Sequence, residues 1–190
     1  MSKELTDRLN ELLPRLTSED VLKGRGLGND IPFYIFDYPP ESELVVREHL
    51  QTVLTAIPQR CPELKIKHVN LLEFVRDYLA GRGLLDKSYA MQDSKGDAAL
   101  QKALTAPLHP DRLVKHFAEL VQPEQQDLVL VSGVGSVWPV LRSHSLLNNL
   151  QPVMGHTPLV LFFPGRYDGQ ALRLFGQLKD NYYRAFRLVV

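Results

Sequence analysis

The chain has 190 residues, enough for one domain with a substantial core, and we predict a single domain over residues 1–190. Its 22 basic and 22 acidic side chains cancel to a formal net charge of zero, which argues against a polyanion-binding surface spread over the whole protein. Cys61 is the single cysteine, so an intrachain disulfide and a cysteine-based zinc site are excluded. No apolar run approaches the ~20 residues of a membrane-spanning helix, and the N-terminal stretch lacks the apolar core of a signal peptide. We therefore expect a cytoplasmic globular protein.

Residues 1–30 predict a helical extension followed by a linker. Leucines at helical spacing mark one face of the extension: Leu5, Leu9, Leu12, Leu13 and Leu16. Pro14 falls inside that pattern and should end or kink the helix, after which Thr17 and Asp20 can open a short second one. The glycine-rich residues 24–30 precede a strand, whereas a phosphate loop follows one, so they are predicted to be a linker.

The apolar pattern predicts an α/β fold, a three-layer sandwich around a mostly parallel sheet of about five strands. The predicted strands are residues 31–38, 64–69, 128–132, 159–163 and 183–189. Most are short apolar runs without alternation, which is typical of strands covered on both faces. Residues 64–69 alternate and carry two lysines, so they are predicted to form an edge strand.

Between the strands the sequence predicts helices and one irregular segment. The predicted helices are residues 41–57, 71–79 with Asn70 as cap, 97–104, 110–121, 136–150 and 170–178. Residues 81–97 mix glycine and charge without a period, so we predict a mobile insertion, part of which docks through Leu84 and Leu85.

The strands at 128–132 and 159–163, with the crossover helix between them, form a predicted βαβ unit. The loops that follow the two strands lie at their carboxyl ends, where open α/β sheets usually place their sites. Residues 132–138 and 164–169 are therefore expected on one rim of the sheet.

Two turns have the position of a nucleotide site but not its chemistry. Residues 37–44 follow the first strand, and there two prolines remove amide donors while three carboxylates repel a polyphosphate. In residues 133–138 Trp138 stands at the third glycine position of G-x-G-x-x-G, which must be small for a helix to pack closely on the strand. We expect no nucleotide and no other cofactor.

Catalytic and metal-binding patterns are also missing from the sequence. Neighbouring positions of a helix point apart, so His144 cannot serve Ser143 or Ser145 directly, and there is no G-x-S-x-G motif. The six histidines show no H-x-x-x-H pair. We predict no catalytic residue and no metal ligand, so the chain is not expected to be an enzyme.

The rim instead carries residue types that dominate protein–protein hot spots. The candidate partner-binding residues are Trp138, Arg142, Arg166, Tyr167 and Asp168. We expect Arg166 and Tyr167 to be exposed on a turn, so that alanine in their place leaves the melting temperature nearly unchanged. A structural role stays open for either residue, with Arg166 pairing with Asp168 or Tyr167 filling a gap. Trp138 is either packed under the crossover helix or presented to a partner, and we expect its replacement by alanine to cost stability.

Three stretches carry a family resemblance over essentially the whole chain. They are IPFYIFDYPPESELVVREHL, SGVGSVWPVLRSHSLLNNLQPVMGHTPLVLFFPGRYDGQALRLFG and NYYRAFRLVV. These stretches resemble the BrxB family of bacteriophage exclusion (BREX) defence systems. The resemblance implies a small non-catalytic component, encoded beside a PglZ-type alkaline-phosphatase-superfamily protein, an adenine methyltransferase and a large ATPase. A degenerate P-loop-like fold is an expectation from fold analogy alone.

Three hypotheses about function follow. The first is an adaptor or assembly subunit of a BREX complex that docks on the PglZ-type partner and touches other BREX components, with no membrane contact. The second is a cryptic nucleotide-binding or phosphoryl-transfer enzyme, which polar groups converging in a deep pocket at the carboxyl rim would favour. The third, which we favour less, is direct DNA contact through a local basic patch of Arg142, Arg166, Arg173, Arg184 and Arg187.

Overall fold

A computed structural model describes residues 2–24, 32–175, 178–181 and 185–189, with the backbone alone for residues 143–144 and 178–181. The helices are α1 (Lys3–Asn10), α2 (Leu12–Leu16), α3 (Glu19–Leu22), α4 (Glu43–Arg60), α5 (Leu71–Gly81), α6 (Leu85–Leu104), α7 (Pro110–Val121), α8 (Val134–Val137) and α9 (Ser143–Met154). The strands are β1 (Phe33–Tyr38), β2 (Ile66–Asn70), β3 (Leu128–Ser132), β4 (Leu159–Tyr167), β5 (Ala171–Leu174), β6 (Leu178–Asn181) and β7 (Phe186–Arg187).

The sheet is mostly parallel, as predicted. Its order is β2-β3-β4-β1-β7, and each pair in this run is parallel. The predicted edge strand is β2, which indeed lies at one edge. Two further strands extend the sheet from β4, because β5 pairs antiparallel with β4 and β6 pairs antiparallel with β5.

Helices cover both faces of the sheet, which confirms the three-layer sandwich. On one face α1 to α4 pack on alternate strand residues, among them Tyr34, Phe36, Leu130, Val160 and Phe162. On the other face α5 to α9 pack on the intervening residues, among them Phe33, Ile35, Val129, Leu161 and Phe163. Because both faces are buried, the strands are continuous apolar runs rather than alternating ones.

The N-terminal extension forms the predicted helices with a break at a different residue. The chain departs from α1 at Glu11, before Pro14, and Pro14 lies in the first turn of α2. A proline is tolerated there because the first amides of a helix have no carbonyl partner within it. The second predicted helix is α3, and its cap is Ser18, whose hydroxyl accepts a hydrogen bond from the Val21 amide. The linker at residues 25–30 lies outside the described residues.

The segment predicted as a mobile insertion is largely helical. Helix α6 begins at Leu85 and continues through Gly96, where a backbone φ of 78° interrupts the helical geometry. The helix predicted from residue 97 is the second part of α6. Leu84 and Leu85 pack against the core, as expected. The mobility of residues 81–97 stays a prediction, and so does the division into one domain.

The crossover after β3 is two helices rather than the one predicted over residues 136–150. Helix α8 ends at Val137, and α9 begins at Ser143. Pro139 explains the interruption, since it has no amide hydrogen and disfavours helical geometry at the residue before it. Trp138 accordingly has extended backbone angles, φ −73° and ψ 141°.

The helix predicted at residues 170–178 is wrong, because this stretch contains the hairpin strands β5 and β6. In β5 the buried Leu172 and Leu174 flank the exposed Arg173, which is the period of a strand. Their burial completes the core on the α5 to α9 face. The final strand, predicted at residues 183–189, is described as the short β7, which pairs with β1.

Candidate functional site

The two loops expected on one rim do meet there. Strands β3 and β4 are parallel neighbours, with Val131 opposite Leu161 near their carboxyl ends. Helix α8, which follows β3, approaches β4 so closely that a Cβ on Gly135 would lie 3.1 Å from Pro164 Cγ and 3.1 Å from the Phe175 ring. A larger residue at this point of contact would require one of these side chains to shift by a few tenths of an ångström.

Trp138 and Phe175 form a half-exposed aromatic pair on this rim. Their ring centroids are 6.0 Å apart at an interplanar angle of 87°, an edge-to-face contact. Trp138 is 41% exposed and Phe175 38% exposed. Of the two alternatives for Trp138, the structure thus favours presentation at the surface.

Phe175 was missed by the sequence analysis, which placed it inside a helix. It has a left-handed backbone, φ 53°, which is unusual for a bulky side chain. Its amide donates a hydrogen bond to the Pro164 carbonyl at 3.1 Å. The end of β5 is therefore tied to β4 in a conformation that leaves the Phe175 ring against Trp138.

Arg166 and Tyr167 are neighbours in β4 with opposite environments. Arg166 is exposed, as expected, and its side chain makes no hydrogen bond or ion pair within the described residues. Tyr167 was expected to be exposed, and that expectation is wrong: its side chain has no exposed surface. The reason is that residues 164–167 continue strand β4 instead of forming a turn, so successive side chains alternate between solvent and core.

Tyr167 lies at the centre of a hydrogen-bond network. Its hydroxyl donates to the carbonyls of Ala185 at 2.7 Å and Gly169 at 3.1 Å. Its amide donates to Asp37 Oδ2 at 2.9 Å, and its carbonyl accepts from Arg187 Nε at 3.1 Å. Burial raises the pKa of the Tyr167 hydroxyl above its ordinary value. This residue positions the hairpin and offers no side-chain surface to a partner.

Asp168 shapes the turn between β4 and β5. Its Oδ1 accepts hydrogen bonds from the amides of Gln170 at 3.0 Å and Ala171 at 2.8 Å. Its other oxygen lies 3.6 Å from Arg173 in an exposed ion pair. Asp168 is itself exposed, so it can also contact a partner.

Arg142 does not join the other candidates. It is exposed, precedes α9 without a side-chain hydrogen bond to the helix, and lines a cavity beside Pro139 and His109. Arg166 lines a different cavity, and the two share no lining residue in the described part of the chain. The structure thus brings together Trp138, Arg166 and Phe175 and places Arg142 apart from them.

A separate polar cavity of about 370 Å³ lies at the same edge of the sheet, between α4 and the ends of β2 and β3. Within it His68 Nε2 and Ser132 Oγ are joined by a hydrogen bond of 2.8 Å. Burial lowers the pKa of His68 below its ordinary value, and the nearby Glu73 carboxylate opposes that shift. The sequence analysis did not single out this pair, because it did not use the register that pairs β2 with β3.

On the opposite side of this cavity the Tyr38 hydroxyl donates to Glu43 Oε2 at 2.6 Å. Burial, followed by that hydrogen bond, raises the pKa of Tyr38 above its ordinary value. Arg47 contacts the same carboxylate at 3.4 Å. Polar groups therefore do converge at the carboxyl rim, although the carboxylates among them disfavour a phosphate.

Comparison with known proteins gives a consistent answer over most of the chain. The family model described as "BREX protein BrxB" matches residues 67–188. A "BREX protein BrxB" from Bacillus cereus (strain H3081.97) is 42% identical, over 98% of this chain and 98% of its own length. Another from Escherichia coli O9:H4 (strain HS) is 39% identical, over 96% of this chain and 90% of its own length.

The chain belongs to the BrxB family. Its family resemblance in sequence is thereby confirmed, and the protein is a component of a BREX phage-defence system. No solved structure matches it. The names of these BrxB relatives state no enzymatic activity.

The described arginines of the basic patch considered for DNA contact do not form one continuous set. Arg187 is exposed, but its guanidinium donates to the Tyr167 carbonyl, and Arg173 pairs with Asp168. Arg142 lies in a separate cavity, and Arg184 lies outside the described residues. Within the described ranges no group of three or more His, Cys, Asp or Glu side chains could hold a metal ion. No described helix is long and apolar enough to span a membrane.

Proposed function

We propose that this BrxB-family protein is an assembly subunit of its BREX complex, that it docks on the PglZ-type partner, and that it performs no chemistry of its own. The exposed pair of Trp138 and Phe175 is the observation that carries this proposal. Half-exposed aromatic rings beside an arginine, Arg166, whose side chain has no partner among the described residues, are the composition of protein–protein hot spots. The proposed place of action is the cytoplasm, whose reducing conditions suit the single Cys61.

Two features support the rim as a docking face. The two rings contact each other edge to face, and the Phe175 amide is bonded to the Pro164 carbonyl, so less side-chain entropy is lost when a partner binds the pair. Arg166 and Asp168, exposed on the same hairpin, supply the polar surround that such anchors need. In this proposal the rim binds the PglZ-type partner and does not contact other BREX components or DNA.

The test is binding between the purified protein and the PglZ-type protein of the same defence locus, measured by calorimetry. We expect Trp138→Ala and Phe175→Ala to weaken binding by about tenfold or more, the effect of losing a hot-spot residue. Tyr89→Ala is the matched control, because Tyr89 is an exposed aromatic on α6, away from the rim. Parent-like affinity of both rim variants would place the docking face elsewhere.

A second test concerns the whole system. Deleting the gene should abolish phage exclusion, and the purified protein should show neither nuclease nor methyltransferase activity. A Trp138→Ala allele should fail to restore exclusion in the deletion strain while a Tyr89→Ala allele restores it. Full resistance of the deletion strain would remove the claim that this subunit is required.

The polar cavity favours a second candidate, the nucleotide-binding or phosphoryl-transfer enzyme. Its support is the convergence of His68, Ser132 and Arg47 at the carboxyl rim, where α/β folds place ligands. Glu43 and Glu73 oppose a phosphate there. Calorimetry with Mg-ATP distinguishes the assembly subunit from the enzyme. We expect no binding of Mg-ATP, and a one-to-one site would favour the enzyme.

A further inference from the structure

We propose that the cavity between α1 and the β4–β5 hairpin is a carboxylate-binding site, filled by an aspartate or glutamate side chain on an acidic segment of the partner. The inference rests on the proposed docking function and names the chemistry of what docks. The cavity has a volume of about 330 Å³ and lies at the carboxyl ends of β1 and β4. It adjoins the aromatic pair, because Phe175 lines it.

The first argument is the arrangement of charge on the hairpin. Arg166 in β4 lies directly opposite Arg173 in β5, and both are exposed. Like charges directly opposite each other on paired strands are destabilising. Asp168 offsets the charge of Arg173 at 3.6 Å, but the Arg166 side chain has no hydrogen-bond or ion-pair partner among the described residues. An anion bound at Arg166 relieves this repulsion.

The second argument is the composition of the cavity walls. Pro39, Pro40 and Phe175 are apolar and suit the methylene stem of an acidic side chain, while Arg166 suits its carboxylate. Arg8 lines the opposite wall. Its Nη2 donates to Asp37 at 2.7 Å, but its Nε is buried and has no hydrogen-bond partner in the described part of the chain.

Two carboxylates also line the cavity, and their roles differ. The oxygens of Asp37 are already engaged, because one accepts a hydrogen bond from Arg8 and the other accepts one from the Tyr167 amide. The charge of Arg8 therefore largely balances the charge of Asp37. Glu4 is exposed in the first turn of α1 and opposes an incoming anion. Removing the charge of Glu4 should therefore change the affinity in the opposite direction to removing the charge of Arg166.

A protein carboxylate fits this site better than the phosphates of a nucleic acid. A nucleic-acid backbone needs a row of cations along its track. Here the Arg187 guanidinium donates to the Tyr167 carbonyl, Arg173 pairs with Asp168, and Arg142 lines another cavity. Arg166, whose side chain has no partner in the part of the chain that the structure describes, lies beside apolar walls and an aromatic pair, which suits a single anionic side chain with apolar neighbours.

The experiment measures the Kd for the purified PglZ-type protein as a function of charge and salt. We expect Arg166→Glu to weaken binding by about 10- to 100-fold, and Arg166→Lys to weaken it less because the charge is retained. Glu4→Gln should tighten binding by a few-fold. The matched control is Arg60→Glu, the same change of charge at the end of α4, on the opposite rim, which should bind like the parent.

Salt and a nucleic-acid probe complete the test. Raising the salt from ~0.05 M to ~0.5 M should weaken the parent more than Arg166→Glu, because the screened attraction is already lost in the variant. If the parent binds and Arg166→Glu binds equally well, the carboxylate site is refuted while docking stands. If the parent does not bind the PglZ-type protein, the proposed function fails and this inference with it. Binding of a single-stranded oligonucleotide that Arg166→Glu abolishes would assign the site to nucleic acid and overturn the inference.

Discussion

Replacing Tyr167 and Arg166 one at a time by alanine is a direct test of where the rim ends and the core begins. The two residues are adjacent in β4, but the Tyr167 side chain is fully buried and Arg166 is exposed. Truncating a buried aromatic side chain costs ~3–5 kcal/mol in the free energy of unfolding. For a chain of this length each kcal/mol lowers the melting temperature by about 2–4 °C, so Tyr167→Ala should melt about 6–20 °C lower.

Arg166→Ala should change the free energy of unfolding by no more than about 0.5 kcal/mol, because an exposed side chain without a described partner has little to lose. Tyr167→Phe separates packing from hydrogen bonding. It keeps the ring but leaves the Ala185 carbonyl without the hydroxyl that donates to it, a loss of about 1–3 kcal/mol.

The assay is thermal unfolding followed by circular dichroism, with urea unfolding as an independent measure of the free energy. The expected order of stability is parent, Arg166→Ala, Tyr167→Phe and then Tyr167→Ala, with the first two nearly equal. A Tyr167→Ala protein that melts within about 2 °C of the parent would refute the reasoning, because a side chain buried among the core and bonded to two carbonyls cannot be lost at that cost.

The other predictions concern the supports of the same rim and the polar cavity. Gly165→Ala should destabilise the protein in urea by about 1–3 kcal/mol, since its Cβ would lie 2.1 Å from the Arg173 carbonyl oxygen, whereas Gly81→Ala, with open space around it, should not. Asp37→Asn should cost ~1.5–3 kcal/mol and, in a double-mutant cycle with Arg8→Met, should show coupling; additive effects would contradict the shared ion pair. Stability should fall as pH drops below about 6.5, because burial lowers the pKa of His68 in the folded state and the unfolded state then binds more protons. Urea titrations of the parent and of His68→Gln across that pH range check this, and an equal pH dependence in both would exclude His68 as the source.

The sheet could be predicted from sequence because its strands are buried on both faces. Short, continuous apolar runs such as residues 128–132 and 159–163 are typical of strands that are covered on both faces of a sheet. The hairpin could not be predicted as readily. Leu172 and Leu174 bracket Arg173 in a strand period, but the stretch is too short to separate from a helical pattern without knowing that β4 continues to Tyr167.

The position of the candidate site could be predicted from the sequence, but the residues that form it could not all be predicted. The carboxyl-end rule places residues 132–138 and 164–169 together, and the structure agrees. The burial of Tyr167 depends on Asp37, 130 residues earlier in the chain, and on Ala185. Phe175 joins the site because its backbone is left-handed, a conformation that the predicted helix does not contain. Contacts of such long range leave no local signal in composition or periodicity.

The strand order has a consequence for how the chain folds as it is synthesised. Strand β1 lies between β4 and β7, so this early strand pairs with strands that are made late in translation. A nascent chain that ends before residue 159 holds the apolar β1 with neither neighbour present, and such open strand edges invite aggregation. Contacts of such high sequence separation also slow folding. Synthesis of residues 159–187 is therefore the step that closes the sheet.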